Sequence, residues 1–220
     1  MTGLGGILAL AGAMLVVYTL ASVPLGYLAV RWTTHSVDIR AFGTGNPGTS
    51  NMVRSGLPIV GMLVGVTQFF EGYIIPAAGD RFGGMSVAGP FAMAVLVGNM
   101  WPIYGRDLGG RGVAVASGAV AALSPPGFLL LLAWYCAGTV LDEIAACVGV
   151  GFWSVPITLA VLGRGPVFWW CLGLALLISI RRFSGIRSDA RAWRWTITNL
   201  LRRLVYDERP GRTVTGGGRL

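Results

Sequence analysis

The sequence predicts an all-α membrane protein that crosses the bilayer with about seven helices. Of its 220 residues, 54% are hydrophobic and 12% are charged, whereas soluble domains carry roughly 25% charged residues. The mean hydropathy is +0.68, and seven apolar stretches follow one another along the chain. These features exclude a water-soluble domain and a disordered chain. The three cysteines are too few for a disulfide scaffold.

The first apolar run, residues 4–30, is long enough to cross a bilayer as a helix of about 20 residues. A signal peptide is the alternative, but the run lacks a positive start and exceeds the usual apolar core of about 7–15 residues. Ser124-Pro125-Pro126-Gly127 is expected to divide the middle of the chain into two short helices. Because these stretches of 12 and 14 residues are short for full spans, the number of spans lies between five and seven. The six later candidates are 57–78, 86–104, 112–123, 127–140, 144–162 and 167–180.

Arginine placement predicts the orientation, because cytoplasmic loops collect positive charge. All 17 basic residues are arginine, and they cluster after the first span, after the third span and from Arg181 to Arg209. These segments are expected to be cytoplasmic, with the N-terminus outside and the C-terminus inside. The loops at 80–81 and 142–143 lack an arginine excess and are expected on the opposite face. The net charge of +8 indicates anionic membrane lipids as partners rather than nucleic acid.

A glycine-rich polar segment, residues 37–56, follows the first span. Its turn at 43–48 precedes Thr49-Ser50-Asn51, residue types that cap helices. Converging backbone N–H groups and the positive end of the next helix make such a turn a phosphate cradle. Arg54, expected one turn into that helix, can reach the same anion. A plain inter-helix loop is the alternative. Within the next span, Gly61 and Gly65 predict close helix packing.

Two more polar segments carry arginines. Residues 98–117 end in Gly109-Gly110-Arg111-Gly112, which opens a helix; an arginine that only obeys the charge rule is the alternative there. Residues 191–209 predict an amphipathic helix, for which a membrane-surface anchor is the alternative. We expect one membrane domain over 1–206 and a basic, disordered tail over 207–220.

Taken together, these segments resemble the bacterial acyl-phosphate:glycerol-3-phosphate acyltransferases, the PlsY family. The first motif comprises Ser22-Val23-Pro24-x-Gly26, Asp38-Ile39-Arg40, Gly43-Thr44-Gly45-Asn46-x-Gly48-x-x-Asn51 and Arg54. The second comprises Trp101-Pro102, Gly109-Gly110-Arg111-Gly112-Val113-Ala114 and Leu123-Ser124-Pro125, and the third Asn199, Arg202 and Glu208.

The resemblance implies a compact seven-helix enzyme of phospholipid biosynthesis in the bacterial plasma membrane, with its active site at the cytoplasmic face. Such an enzyme moves an acyl group from acyl phosphate to the sn-1 hydroxyl of glycerol 3-phosphate and makes lysophosphatidate. It implies these two substrates, no cofactor and no metal; protein partners stay unknown. The implied catalytic residues are Thr44, Arg54, Arg111 and Asn199. The implied substrate-binding residues are Ser22, Gly43, Gly45, Asn46, Gly48, Asn51, Gly109, Gly110, Gly112, Arg202 and Glu208.

Several positions differ from the family pattern. Asn99 and Thr196 stand where the family has histidine, and Glu71 where it has lysine. Asparagine and threonine do not take up a proton near neutral pH. These changes support an alternative, a catalytically impaired relative that binds anions or lipids or regulates an active enzyme. A small transporter is a further alternative, because Glu71 lies within a span.

Overall fold

The computed structural model describes residues 3–34, 38–41 and 45–183, apart from the side chain of Arg106. Within these ranges the regular structure is helical, which confirms the predicted all-α class. The segment at 191–209 and the tail at 207–220 lie outside the described residues. The α-helices are α1 Leu4–Ala21, α2 Leu25–Thr33, α3 Thr49–Arg54, α4 Pro58–Gly83, α5 Met85–Met100, α6 Val113–Leu123, α7 Pro125–Val140, α8 Ile144–Val161 and α9 Gly165–Phe183.

Seven helical stretches match the seven predicted spans in order. Four are long and apolar enough to cross a membrane: Leu4–Thr33, Pro58–Gly83, Ile144–Val161 and Gly165–Phe183. The shorter apolar helices are α5, α6 and α7. Helix α5 lies at the centre of the bundle, packed against α1, α4, α6 and α9. Large apolar side chains are exposed around the outside, as expected for a surface in contact with lipid.

Two expectations about helix boundaries need correction. The run at 4–30 is not one uninterrupted helix, because α1 ends at Ala21 and α2 begins only at Leu25. Pro24 lies in this break; proline has no backbone N–H and its ring obstructs the preceding turn. The charged pair at 80–81 is not in a loop, since α4 continues to Gly83. The predicted break after α6 is confirmed: the Ser124 hydroxyl accepts a hydrogen bond from the Gly127 N–H at 3.1 Å.

The turn at 141–143 lies at the same end of the bundle as Arg111, and the expectation that it faces the opposite side is wrong. Arg182, near the end of α9, donates from Nη2 to the carbonyl oxygen of Ala145 at the start of α8, at 2.8 Å. Arg111 donates to the carbonyl oxygens of Arg181 and Arg182. The break at Ser124 explains the error: it makes α6 and α7 two crossings, so the chain returns before residue 141.

Glycines let the helices approach closely. A Cβ atom added at Gly72 of α4 would collide with the carbonyl oxygen of Val115 in α6, and one at Gly118 with that of Phe69. The predicted close packing at Gly61 and Gly65 is confirmed, because both face Thr49 of α3. A Cβ added at Gly61 would lie 3.0 Å from the carbonyl oxygen of Thr49, and one added at Gly65 would lie 3.0 Å from its Oγ1. Small residues supply this kind of contact in membranes, where water gives no driving force between helices.

Replacing Gly72 with Val is expected to destabilise the bundle. The new side chain meets a backbone carbonyl that no rotamer change can move, and overpacking of this kind costs about 1–3 kcal/mol. Thermal unfolding in detergent should show a lower Tm for the variant. The matched control is Gly12→Val on α1, where an added Cβ meets nothing within 4 Å. Equal melting of wild type and Gly72→Val would contradict the close contact.

Candidate active site

One end of the bundle collects most of the described arginines. We call it the arginine-rich end; it carries Arg31, Arg40, Arg54, Arg111, Arg181 and Arg182. The opposite end carries Arg81 in the last turn of α4 and Arg164 before α9. The described polar residues of the first motif and the Trp101–Arg111 part of the second lie at the arginine-rich end, whereas Leu123-Ser124-Pro125 of the second motif lies at the far end of α6.

Ser22 occupies the break between α1 and α2. It is fully buried, and its hydroxyl donates to the carbonyl oxygen of Tyr18 at 2.7 Å. The hydroxyl of Tyr18 in turn donates to the carbonyl oxygen of Trp101 at 3.0 Å. Ser22 is therefore paired within its own turn, and the Tyr18 hydroxyl one turn earlier joins α1 to the residue that follows α5.

The described part of the first glycine-rich turn packs against α2. An added Cβ at Gly26 would collide with the carbonyl oxygen of Pro47, so only glycine permits this approach. Asn46 and Asn51 are buried, at 8% and 2% exposure. Gly45 has a positive φ of 69°, and an added Cβ at Gly48 would lie 2.9 Å from Nδ2 of Asn46. Two buried amides thus belong to this segment.

The helix after this turn differs from the expectation in two ways. The predicted cap Thr49-Ser50-Asn51 lies inside α3, whose N-cap is Gly48 without a side-chain hydrogen bond. Arg54 is the last residue of this six-residue helix, not one turn into a long one, and it is exposed. A helix this short adds little dipole to a phosphate site, because the macrodipole grows from aligned peptide units. The buried hydroxyl oxygens of Thr49 and Ser55 have no hydrogen-bond partner among the described residues.

The second glycine-rich turn is fixed against the end of α5. Gly112 adopts a φ of 73° as the N-cap of α6, a conformation that favours glycine. An added Cβ at Gly109 would collide with the carbonyl oxygen of Met100. The Gly110 N–H donates to the carbonyl oxygen of Asn99 at 3.2 Å. As predicted, the turn opens a helix, and it does so with its backbone in direct contact with α5.

Arg111 and the end of α9 hold each other. Nη1 of Arg111 donates to the carbonyl oxygens of Arg181 and Arg182, at 3.0 and 3.3 Å. Arg181 donates from Nε to the carbonyl oxygen of Gly110 at 3.0 Å and from Nη2 to that of Gly109 at 2.8 Å. Its guanidinium also lies 5.5 Å from the centre of the Trp101 ring. Sequence reasoning did not anticipate these contacts of Arg181 and Arg182, whose only signal was two arginines in the last turn of an apolar helix.

A second charged group belongs to the first motif. Arg40 forms a two-pronged ion pair with Asp38, with Nη2 2.7 Å from Oδ2, and both side chains are 39% exposed. The hydrogen bond from Arg40 lowers the pKa of Asp38, against a smaller opposing effect of burial. The same bond raises the pKa of Arg40. The Arg40 guanidinium also lies over the ring of Tyr27, whose hydroxyl accepts from Arg31.

Asn99 is nearly buried beside the second turn. It is 7% exposed, and its Oδ1 has no hydrogen-bond partner among the described residues. Oδ1 would lie 3.4 Å from a Cβ added at Gly110. Glu71 is partly buried within α4. Of the predicted site residues, Gly43, Thr44, Asn199, Arg202 and Glu208 lie outside the part of the chain that the structure describes.

Comparisons with known proteins agree on one family. A sequence model described as glycerol-3-phosphate acyltransferase matches residues 11–189. Proteins named glycerol-3-phosphate acyltransferase from Burkholderia orbicola and Desulforamulus reducens are each 32% identical to the chain. The alignments cover 79% and 67% of this chain and 86% and 74% of the two relatives. The family match ends before Asn199, Arg202 and Glu208, so the third motif stays a prediction.

Two crystal structures of the same protein are similar to the fold. They are of PlsY (YgiH), an integral membrane glycerol 3-phosphate acyltransferase, in its glycerol 3-phosphate and lysophosphatidic acid forms. The TM-scores are 0.73 and 0.70, at 25% sequence identity. Each match covers 88% of this chain and 98% of the other. The similarity therefore extends over nearly the whole of that fold.

Replacing Asp38 with Asn is expected to change how stability depends on pH. Because Arg40 lowers the folded-state pKa of Asp38 from its ordinary value of 3.8, the carboxylate stabilises the fold above that pH. This contribution is lost as the pH falls through the lowered pKa. In detergent near pH 6, the Tm of the wild type should exceed that of Asp38→Asn, and this difference in Tm should narrow below about pH 4. A Tm difference between wild type and variant that stays constant down to about pH 3 would contradict the ion pair. The control is Glu143→Gln, which removes an exposed carboxyl group at the same end of the bundle.

Proposed function

The chain belongs to the glycerol-3-phosphate acyltransferase family and is a multi-pass membrane enzyme of lipid synthesis, and we propose that its acyl donor is acyl phosphate. On this proposal it acylates the sn-1 hydroxyl of glycerol 3-phosphate and releases lysophosphatidate and phosphate. The related proteins carry the name of an acyltransferase, which favours the enzyme over a non-catalytic relative or a transporter. The observation that carries the proposal is the gathering of the arginines with the described part of the first motif and the Gly109–Arg111 turn of the second at one end of the bundle.

The proposed acyl transfer requires mainly that the enzyme bind two anionic substrates together. Acyl phosphate already has a good leaving group, so holding the reactants together and stabilising the developing negative charge account for much of the catalysis. Guanidinium groups suit phosphate because their planar fork donates two parallel hydrogen bonds. The phosphate of a substrate can itself accept the hydroxyl proton. Asn99 and Thr196 in place of histidines are compatible with such a mechanism.

We assign the predicted residues as follows. One phosphate is held by Arg54 and by the turn at 43–48, which contains Gly43, Gly45, Asn46 and Gly48. The other phosphate is held by Arg111 and Arg202. Thr44 and Asn199 donate hydrogen bonds near the reacting hydroxyl. The remaining proposed substrate-binding residues are Ser22, Asn51, Gly109, Gly110, Gly112 and Glu208. The exposure of Arg54 and the presence of the buried Asn46 and Asn51 in the same segment support the first phosphate site.

An apolar groove between α2 and α4 is a candidate binding site for the acyl chain. It has a volume of about 190 Å³ and is lined by Leu25, Leu28, Ala29, Trp32, Leu63, Val64 and Thr67. It begins beside the segment that carries the first motif and is open to the surroundings of the bundle. We propose that the acyl chain lies along it while the phosphate stays at the arginine-rich end.

We propose further that the arginine-rich end faces the cytoplasm of a bacterium, in its plasma membrane, with the N-terminus outside. The support is the positive-inside rule, since only Arg81 and Arg164 among the described arginines lie at the other end. The same proposal takes 1–206 as one membrane domain and 207–220 as a tail on the cytoplasmic side.

The donor is tested with purified protein, glycerol 3-phosphate and either palmitoyl phosphate or palmitoyl coenzyme A. We expect lysophosphatidate from the acyl phosphate only. Arg54→Ala should lower kcat/KM by about 10- to 150-fold, because it removes a charged hydrogen bond to phosphate. Arg81→Ala at the opposite end is the matched control and should leave turnover unchanged. Product from the thioester alone would overturn the donor, and unchanged kinetics of Arg54→Ala would overturn its role.

The orientation is tested by labelling single cysteines with a membrane-impermeant maleimide, after replacing Cys136, Cys147 and Cys171 with alanine. In spheroplasts with an intact plasma membrane, the cysteine of Arg164→Cys should react with the maleimide without permeabilisation. Arg54→Cys should react only after permeabilisation, because it lies at the other end of the bundle. Reaction of both variants before permeabilisation, or the reverse order, would contradict the proposed orientation.

A further inference from the structure

We propose that Arg181 is a positioning residue that holds the turn at Gly109–Gly110–Arg111 in its substrate-binding form. The inference rests on the proposed function, because it takes this turn as part of the acyl-transfer site. Arg181 itself is not assigned a contact with substrate. It acts through Arg111 and the backbone of the turn.

The first step is the match between one guanidinium and two successive carbonyl groups. Nε of Arg181 lies 3.0 Å from the carbonyl oxygen of Gly110, and Nη2 lies 2.8 Å from that of Gly109. The two donors have a fixed spacing because the guanidinium is planar. Packing 5.5 Å from the centre of the Trp101 ring holds the group from a second direction. One side chain therefore fixes two consecutive peptide groups.

The second step is why this turn needs such support. Gly109 and Gly110 have no side chains to restrict them, and glycine loses more conformational freedom on ordering than any other residue. A planar trans peptide puts each N–H opposite the preceding C=O. Holding the two carbonyls therefore also sets the directions of the N–H groups of Gly110 and Arg111. The first of these donates to the carbonyl oxygen of Asn99 at 3.2 Å, so the turn is held from both sides.

The third step is reciprocity. Arg111 donates from Nη1 to the carbonyl oxygens of Arg181 and Arg182, at the end of α9. The backbone that carries Arg181 is thus held by the residue whose turn Arg181 orders. Loss of the Arg181 guanidinium is expected to loosen the turn and to displace Arg111 together with it. If Arg181 only added positive charge to this end of the bundle, this hydrogen-bond geometry would not be needed, and a lysine in its place would serve equally well.

The test compares Arg181→Ala and Arg181→Lys with the wild type and with the control Arg164→Ala, an arginine at the opposite end. Initial rates are measured with palmitoyl phosphate and glycerol 3-phosphate. We expect Arg181→Ala to lower kcat/KM by about 10- to 100-fold. The KM of one substrate should rise more than that of the other, because the turn is assigned to one of the two phosphates. Added guanidinium ion at millimolar concentration should restore part of the activity of Arg181→Ala.

Amide hydrogen exchange of peptides covering 105–113 supplies a readout that does not need turnover. Exchange should be faster in Arg181→Ala than in wild type, while peptides covering 157–164 at the opposite end stay unchanged. Arg181→Lys should also exchange faster, because an ammonium group does not reproduce the planar two-donor fork. If Arg181→Ala does not fold, the lysine variant carries both measurements.

Each outcome decides the inference. Selective loss of activity with faster exchange in the turn supports it. Wild-type kinetics in Arg181→Lys and Arg181→Ala overturn it, and so does equal loss of affinity for both substrates without a change in exchange. If the wild-type protein makes no lysophosphatidate, the proposed function fails. Exchange in the turn then still decides whether Arg181 orders it.

Discussion

Hydrogen bonds from arginine side chains to backbone carbonyls hold the arginine-rich end together. The last carbonyls of a helix have no partner within the helix, and leaving them unpaired is costly in an apolar environment. Arg111 supplies donors to the end of α9, Arg181 to the turn before α6, and Arg182 to the start of α8. The first two contacts join segments some seventy residues apart, and the third joins the two consecutive helices α8 and α9. They also concentrate positive charge where the substrates are proposed to bind.

Close approach of backbones is the second constraint on this architecture. Gly72 and Gly118 bring α4 and α6 together, and the same device operates at the site. Gly26 admits the carbonyl of Pro47 against α2, and Gly109 admits that of Met100. Each of these glycines places a polar segment directly against the apolar bundle. The candidate site is therefore shaped largely by backbone contacts, on which side chains such as Arg54 and Asn99 are then mounted.

A chain whose basic residues are all arginine can still bind phosphate well, but it does so in a different way from one that uses lysine. Lysine presents a point charge, whereas arginine presents a planar fork that can serve two acceptors at once. At the end of α9 that fork serves backbone carbonyls. The arginines of this family member thus combine the support of the fold with the charge that anionic substrates require. The proposed mechanism needs this charge and close placement more than it needs a basic side chain at Asn99.

The sequence by itself determined the membrane class, the seven apolar stretches, the break at Ser124 and the family, because composition, hydropathy and local motifs are properties of neighbouring residues. Tertiary structure alone decided where α1 ends before Pro24 and how short α3 is. The side of residues 141–143 was already implied by the two predicted crossings between Arg111 and residue 141. The expectation relied instead on the few charges of that turn, which set no strong preference for either side. The contacts of Arg181 were beyond sequence reasoning. Its partners lie some seventy residues away, and only the packing of α9 against the end of α5 brings them within hydrogen-bonding distance.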